Sequence, residues 1–141
     1  MVKKSRIGYT TGVFDLFHIG HLILLEKAKS QCDKLIVGVT TDDLVLYKGK
    51  KSVIPFNERI EIVKAIKYVD EAIPQENMNK IKTCNRIGAN LIFVGDDWKN
   101  TEKWNTYEKE FAKIGGKIIY FPYTKGVSST LINETLKKLR N

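Results

Sequence analysis

The chain has 141 residues, of which 43% are hydrophobic, and a formal net charge of +8. The length predicts a single domain over residues 1–141 that can bury a core, and the charge favours a phosphorylated or polyanionic partner, although a lysine-rich surface needs no function. Cys32 and Cys84 form no C-x-x-C pair, and the sequence has no apolar leader and no long apolar run, so we expect a reduced cytoplasmic protein that does not enter a membrane.

Short apolar runs alternate with helical patterns along the whole chain. In order, the patterns predict a strand over 6–12, a helix over 20–31, a strand over 34–41, a polar loop, a helix over 55–69 capped by Asn57, a strand over 71–74, a helix over 78–88, a strand over 90–98, a helix over 101–116, a strand over 117–122 and a helix over 128–139. This alternation predicts a single Rossmann-like α/β domain, with helices on both faces of a five-stranded parallel sheet in the order 3-2-1-4-5.

Ligands of such sheets bind beyond the carboxyl ends of the strands. The segments that follow the first, second, fourth and fifth predicted strands are rich in functional side chains: "GVFDLFHIGH" (12–21), "TDDLVLYKGKK" (41–51), "GDDW" (95–98) and "YTKGVSST" (123–130). The rule places these four segments at one edge of the sheet, and we expect the functional site there.

Both histidines of the chain, His18 and His21, fall at the predicted start of the first helix, with Gly12 and Gly20 beside them. At a helix N-terminus their N–H groups would join free backbone amides, which suits a phosphate. Two alternatives stay open, namely histidines satisfied locally and a metal site. In a metal site the other ligands would be carboxylates, with Asp15, Asp96 and Asp97 as candidates.

The other segments add cations and hydroxyl groups. Lys48, Lys50 and Lys51 lie in a glycine-containing loop that is either a solvated charge run or a clamp for phosphate charge. Arg59 offers bidentate phosphate contacts or surface pairing with neighbouring glutamates. The segment 126–130 offers a second helix start for an anion, or a plain N-cap.

Neither G-x-x-x-x-G-K-[ST] nor G-x-G-x-x-G occurs in the sequence, so a P-loop enzyme is excluded and a dinucleotide oxidoreductase is disfavoured. Two helix starts suited to anions, a lysine loop and no obvious nucleophile favour stabilisation of a polyphosphate. Phosphoryl-type transfer needs mainly positioning and charge neutralisation from the protein.

The segments "GVFDLFHIGH", with its H-x-G-H core, and "GVSST" resemble those of the HxGH nucleotidylyltransferases, over nearly the whole chain. Together with "GDDW", "KYVDEAIP" and the lysine loop, they look most like the glycerol-3-phosphate cytidylyltransferase family. The resemblance implies that an acceptor phosphate attacks the α-phosphate of CTP with the help of Mg²⁺, releasing pyrophosphate and leaving a CDP-alcohol. It also implies a homodimer.

The resemblance assigns roles by position. The residues it implies to be catalytic are His18, His21, Lys48, Lys50 and Arg59. Those it implies to bind the nucleotide are Gly12, Val13, Phe14, His18, Gly20, His21, Lys50, Asp96, Tyr123, Thr124, Lys125, Gly126, Val127, Ser128, Ser129 and Thr130. For the acceptor they are Asp15, Lys48, Lys80 and Lys82. No protein side chain is expected to hold the Mg²⁺, which would bind mainly through the triphosphate.

Several departures from the family pattern concern phosphate contacts. Tyr123 stands where the family has an arginine, and Ile81 replaces a family lysine between Lys80 and Lys82. Glycerol 3-phosphate is the first candidate for the acceptor, with phosphocholine and phosphoethanolamine as alternatives.

Two other functions remain open. The stretch "KGKKSVIP" also resembles the archaeal-type FMN adenylyltransferases, and the positive charge alone would suit a basic module that binds nucleotides or RNA. The sequence has no RNP-like aromatic motif, so we expect small-molecule substrates and no nucleic acid.

Overall fold

The computed structural model describes residues 5–96, 99–122 and 137–139. Within this part of the chain, five strands form one parallel sheet, in the order β3-β2-β1-β4-β5. Their bounds are β1 (Ile7–Gly12), β2 (Lys34–Thr40), β3 (Glu71–Gln75), β4 (Leu91–Gly95) and β5 (Lys117–Phe121). The predicted α/β fold and strand order are confirmed.

The helices that connect the strands are α1 (Ile19–Ser30), α2 (Asp42–Tyr47), α3 (Phe56–Lys64), α4 (Lys80–Ile87) and α5 (Glu102–Lys113). Of the predicted C-terminal helix, the description includes only residues 137–139, which are helical. In the described part of the chain, no helix has the length and hydropathy needed to cross a membrane.

The strands bury side chains on both faces of the sheet, because successive residues of a strand point to opposite sides. On one face, Leu35 and Val37 of β2 lie in a cluster with Leu25 of α1 and Val63 of α3. On the other face, the neighbouring Ile36 belongs to a cluster that includes residues of α4 and α5. The helices therefore cover both faces, as predicted.

Several boundaries differ from the sequence prediction, and two of the differences concern the segments between β2 and β3. Residues 42–47 form the short helix α2, where a polar loop was predicted, because the Thr41 hydroxyl accepts the N–H of Leu44 and caps this turn. Helix α3 ends at Lys64 instead of residue 69, and its N-cap is Pro55 without a side-chain hydrogen bond, so the prediction of Asn57 as the cap was wrong. Helix α2 and the start of α3 lie at the edge of the sheet that carries the predicted site, whereas the end of α3 lies at the opposite edge.

Candidate active site

The segment between β1 and α1 is a tight turn built on a buried aromatic ring. Phe14 and Leu16 have positive φ angles of 54° and 50°, which L-residues rarely adopt. A Cβ atom at Gly12 would lie only 2.9 Å from the Phe14 ring. The small size of Gly12 therefore lets Phe14 fold under the end of the strand, and the turn delivers His18 to the start of the helix.

The two histidines cap the N-terminus of α1 with their own rings. His18 is the N-cap residue, and its Nδ1 accepts the N–H of Gly20 at 3.0 Å. His21 Nδ1 accepts the backbone N–H of His18 at 3.3 Å. The two rings stack with their centroids 3.9 Å apart. The arrangement is that of a capping box in which both side chains are imidazoles.

These hydrogen bonds define the protonation of both rings. An Nδ1 atom that accepts a hydrogen bond carries no proton, so the proton of the neutral ring lies on Nε2. Burial, together with the neighbouring His18, lowers the pKa of His21 to about 4, against the opposing effect of Asp15. Burial also lowers the pKa of His18. At neutral pH both rings are uncharged donors through Nε2–H.

The Nε2–H group of His18 has no hydrogen-bond acceptor among the described residues, although its nitrogen atom is buried. A buried donor without an acceptor costs about 1–3 kcal/mol, so this N–H group is a candidate donor to an oxygen of a ligand. The predicted association of His18 and His21 at a helix start agrees with the geometry.

The segment 48–54, which contains Lys48, Lys50 and Lys51 and is called the lysine segment below, lies next to the histidines. Asp15 holds it there. A cavity of about 240 Å³ is lined by His21, Lys50 and Lys51, together with Gly12 and Val13. The two oxygens of the Asp15 carboxylate accept the N–H groups of Val53 and Ile54, at 2.8 and 2.9 Å. The largely buried Asp15 thus anchors the end of the lysine segment, and its predicted role at the acceptor stays a prediction.

Arg59 is fully buried, which corrects its predicted place on the phosphates. Its Nε donates to Ile54 O at 2.8 Å, and Nη1 donates to both Val13 O and Thr40 O at 2.7 Å. Its Nη2 donates to the Asp42 carboxylate at 2.7 Å. Four of the five N–H donors of a guanidinium group are thus engaged within the protein. Arg59 joins the segments that surround the site and positions them.

The acidic partner of Arg59 is itself well supported. Asp42 accepts the N–H of Phe56 at 3.1 Å in addition to the guanidinium of Arg59. These two groups, with Ser52, hold the pKa of the Asp42 carboxyl below its usual range against the effect of burial. The ion pair therefore stays ionised at neutral pH.

A second cavity, of about 280 Å³, adjoins the first over the end of β1 and is called here the lysine cavity. Its wall includes Lys48, Lys80 and Lys103, with Gln75, Trp104 and Tyr107. The two cavities share lining residues of β1 and the turn after it, Thr11, Gly12 and Val13. The structure thus brings Lys48 and Lys80 to one cavity, and their binding of the acceptor stays a prediction.

Other predicted residues lie elsewhere. Lys82 is exposed and lines a different surface depression with Glu76 and Arg86, since it points away from Lys80 on the same helix; this corrects its predicted role at the acceptor. Asp96 is exposed just after β4. Outside the described residues lie Asp97 and the segment predicted to bind the nucleotide, which consists of Tyr123, Thr124, Lys125, Gly126, Val127, Ser128, Ser129 and Thr130.

The structure adds three residues that the sequence reasoning missed, namely Gln75, Lys103 and Trp104. Gln75 ends β3, so the rule that ligands bind at the carboxyl ends of strands applies to it as well. Lys103 and Trp104 lie in the first turn of α5, and only the packing of this helix beside α4 brings them to the cavity.

The described residues contain no group of three His, Cys, Asp or Glu side chains arranged to hold a metal ion. The nitrogen Nδ1 of each histidine already accepts a backbone N–H, and Asp15 accepts two.

A Rossmann-like sheet with neutral imidazoles at a helix start and lysines around them defines a nucleotidyltransferase. The chain belongs to the cytidylyltransferase-like family, whose model matches residues 9–135. It is 40% identical over 131 residues to the glycerol-3-phosphate cytidylyltransferase of Bacillus spizizenii, covering 92% of this chain and 96% of that one. It is 33% identical over 126 residues to the FAD synthase of Thermococcus sibiricus, covering 87% and 85%.

Among solved structures, the chain resembles the lipopolysaccharide core biosynthesis protein of Thermoplasma volcanium. The two superimpose with a TM-score of 0.72 at 27% identity, covering 88% of this chain and 100% of that one. The pantoate-beta-alanine ligase of Francisella tularensis shares the fold with a TM-score of 0.62 at 19% identity, over 100% of this chain and 74% of that one.

The pKa value of each imidazole can be measured separately, because the chain has only two histidines and their resonances can be assigned one by one. In an NMR titration of the Hε1 resonances, assigned with His18→Ala and His21→Ala, we expect His21 to titrate near pH 4. Since the unfolded ring takes up its proton near pH 6.5, stability should be full above that pH and fall as the pH drops towards 4. A pKa of 6.5 or higher for His21 would contradict the neutral donor.

The buried guanidinium makes a prediction about stability. Replacing Arg59 by methionine leaves three backbone carbonyl groups without their donor, so we expect a loss of about 3 kcal/mol or more in the free energy of unfolding. Urea denaturation measures this loss, with Arg86→Met, an exposed arginine on α4, as the matched control. Equal stability of the two variants would show that the network contributes nothing.

Proposed function

We propose that the chain transfers the cytidylyl group of CTP to a small phosphorylated alcohol, with glycerol 3-phosphate as the first candidate. The observation that carries this proposal is the buried Nε2 of His18, which has no partner among the described residues at the start of α1. Its hydrogen, beside that of His21, is an oriented donor for an oxygen of the triphosphate. Similarity to glycerol-3-phosphate cytidylyltransferases at 33–40% identity supports the choice of nucleotide and acceptor.

The reaction fits the protonation of the site. An oxygen of the acceptor phosphate forms a bond to the α-phosphorus of CTP, and the bond from that phosphorus to the bridging oxygen breaks. Pyrophosphate leaves with the electron pair of that bond, and the product is a CDP-alcohol. The attacking oxygen is already ionised at pH 7, so no general base is required. Neutral imidazoles therefore act as hydrogen-bond donors to the charge that develops in the transition state.

Different lysines would bind the two substrates, CTP and the phosphorylated alcohol. Lys50 lines the same cavity as His21 and would meet the nucleotide phosphates. Lys48 lines the lysine cavity and would meet the acceptor phosphate. Since the two cavities adjoin at Gly12 and Val13, the acceptor phosphate and the α-phosphate would come together over the end of β1.

Magnesium enters this proposal as part of the substrate. The histidine Nδ1 atoms and the Asp15 carboxylate already accept backbone N–H groups, and no group of three His, Cys, Asp or Glu side chains among the described residues could hold a metal ion. We therefore propose that the ion arrives bound to the triphosphate, as MgCTP, and that the protein binds the complex through lysines and N–H donors.

A second candidate function is adenylyl transfer to FMN. It is favoured by 33% identity to the FAD synthase of Thermococcus sibiricus over 126 residues. The two candidates share the histidine site and differ in the nucleotide and the acceptor, so substrate tests separate them.

The first test measures pyrophosphate release from CTP or ATP in the presence of Mg²⁺ and each acceptor. We expect release from CTP with glycerol 3-phosphate and none from either nucleotide alone, because the acceptor phosphate is the nucleophile. Release only from ATP with FMN would favour the second candidate. No release with any pair of substrates would contradict the proposed function.

The histidines provide a second test. We expect His18→Ala and His21→Ala each to lower kcat on the order of 100-fold, as for other oriented donors to a transition state. Circular dichroism of each variant serves as the folding control. Normal turnover by both folded variants would show that the rings serve only to cap the helix.

A further inference from the structure

The polar groups that converge on the lysine cavity are donors. Lys48, Lys80 and Lys103 contribute ammonium groups, and the cavity wall includes no Asp or Glu among the residues described there. Gln75 is only 4% exposed. Its Oε1 accepts the Thr40 hydroxyl at 2.7 Å, while its Nε2 has no partner within the described part of the chain. A ligand of this cavity must therefore supply oxygen acceptors or negative charge.

The aromatic side chains of the cavity are already covered by cations. The Lys80 ammonium lies 5.3 Å from the centre of the Trp104 ring, and the Lys103 ammonium lies 5.8 Å from that of Tyr107. Aromatic faces at such distances are the usual binding surface for quaternary ammonium ligands. Here the protein's own lysines stand near these two rings, and the described lining residues offer a cationic ligand no carboxylate.

The lysines also repel one another, and the described residues of the wall include no Asp or Glu that would compensate their charge. Burial, followed by the charges of Lys48 and Lys103, lowers the pKa of Lys80 to about 8, against a small opposite effect of Cys84. Burial and Lys50 likewise lower the pKa of Lys48. The positive charges therefore form a continuous row from the histidine side to the start of α5.

We propose that the lysine cavity selects the acceptor by charge. Lys80, Lys103 and the Gln75 amide would admit phosphorylated alcohols whose carbon portion is neutral or anionic, such as a polyol, and would exclude those that carry a cation, such as phosphocholine and phosphoethanolamine. Lys80 and Lys103 are then the specificity-determining residues. The inference rests on the proposed function, because it takes this cavity as the acceptor site.

The experiment compares two acceptors of the same shape, phosphocholine and 3,3-dimethylbutyl phosphate. The second has a neutral carbon in place of the quaternary nitrogen, so the two differ only in the charge of the alcohol portion. The readout is kcat/KM for pyrophosphate release at saturating MgCTP, with glycerol 3-phosphate measured in parallel. We expect the wild type to prefer 3,3-dimethylbutyl phosphate on the order of 100-fold, because the lysine ammonium groups repel the quaternary ammonium group of phosphocholine.

Variants show whether the lysines cause this preference. In the double variant Lys80→Met, Lys103→Met we expect the preference to fall below about 10-fold, whereas Lys109→Met, an exposed lysine on the same helix as Lys103, should keep it. A ratio of two acceptors is insensitive to a general loss of active enzyme.

The outcomes separate the inference from the function on which it rests. Turnover of glycerol 3-phosphate with equal use of phosphocholine and its analogue would overturn the charge selection alone. A preference that survives in the double variant would overturn the roles of Lys80 and Lys103. No turnover with glycerol 3-phosphate or any other acceptor would contradict the proposed function and remove the inference with it.

Discussion

The guanidinium group of Arg59 is the contact on which the rest of the site depends. It donates at once to carbonyl oxygens of the turn after β1, of the end of β2 and of the lysine segment, at Val13, Thr40 and Ile54. A buried cation is costly unless it is paired and fully hydrogen-bonded, so these three segments are held at fixed distances from one another. The histidine turn and the lysines then keep their mutual geometry without a ligand.

The segments that Arg59 holds together also determine how charge is distributed around the candidate active site. Burial and their own hydrogen bonds keep His18 and His21 neutral, which fixes the direction of each Nε2–H without adding a positive charge beside the helix start. The full charges are carried by the lysines of the two adjoining cavities. Preorganised neutral donors beside cations can stabilise the charge that develops in a transition state without the reorganisation that water would need.

The sheet and the histidine site could be predicted from the sequence because their signals are local. Apolar runs of strand length define β1 to β5, and the spacing of His18 and His21 places them on one turn of a helix. The role of Arg59 could not be predicted, since its partners lie in segments distant along the chain. Gln75 and Lys103 were missed for the same reason, as neither belongs to a local pattern and only the docking of helices brings them to one cavity.

The lysine cavity illustrates how a site can store binding energy at the expense of stability. Burial, and then repulsion by the charges of Lys48 and Lys103, disfavours the ammonium form of Lys80 and lowers its pKa, so these charged groups raise the free energy of the ligand-free protein. An anion that binds there removes this repulsion, so it should raise the pKa of the lysines and stabilise the fold by linkage. The charge of Arg59, in contrast, is compensated within the protein by Asp42. Its hydrogen bonds hold the surrounding segments in place.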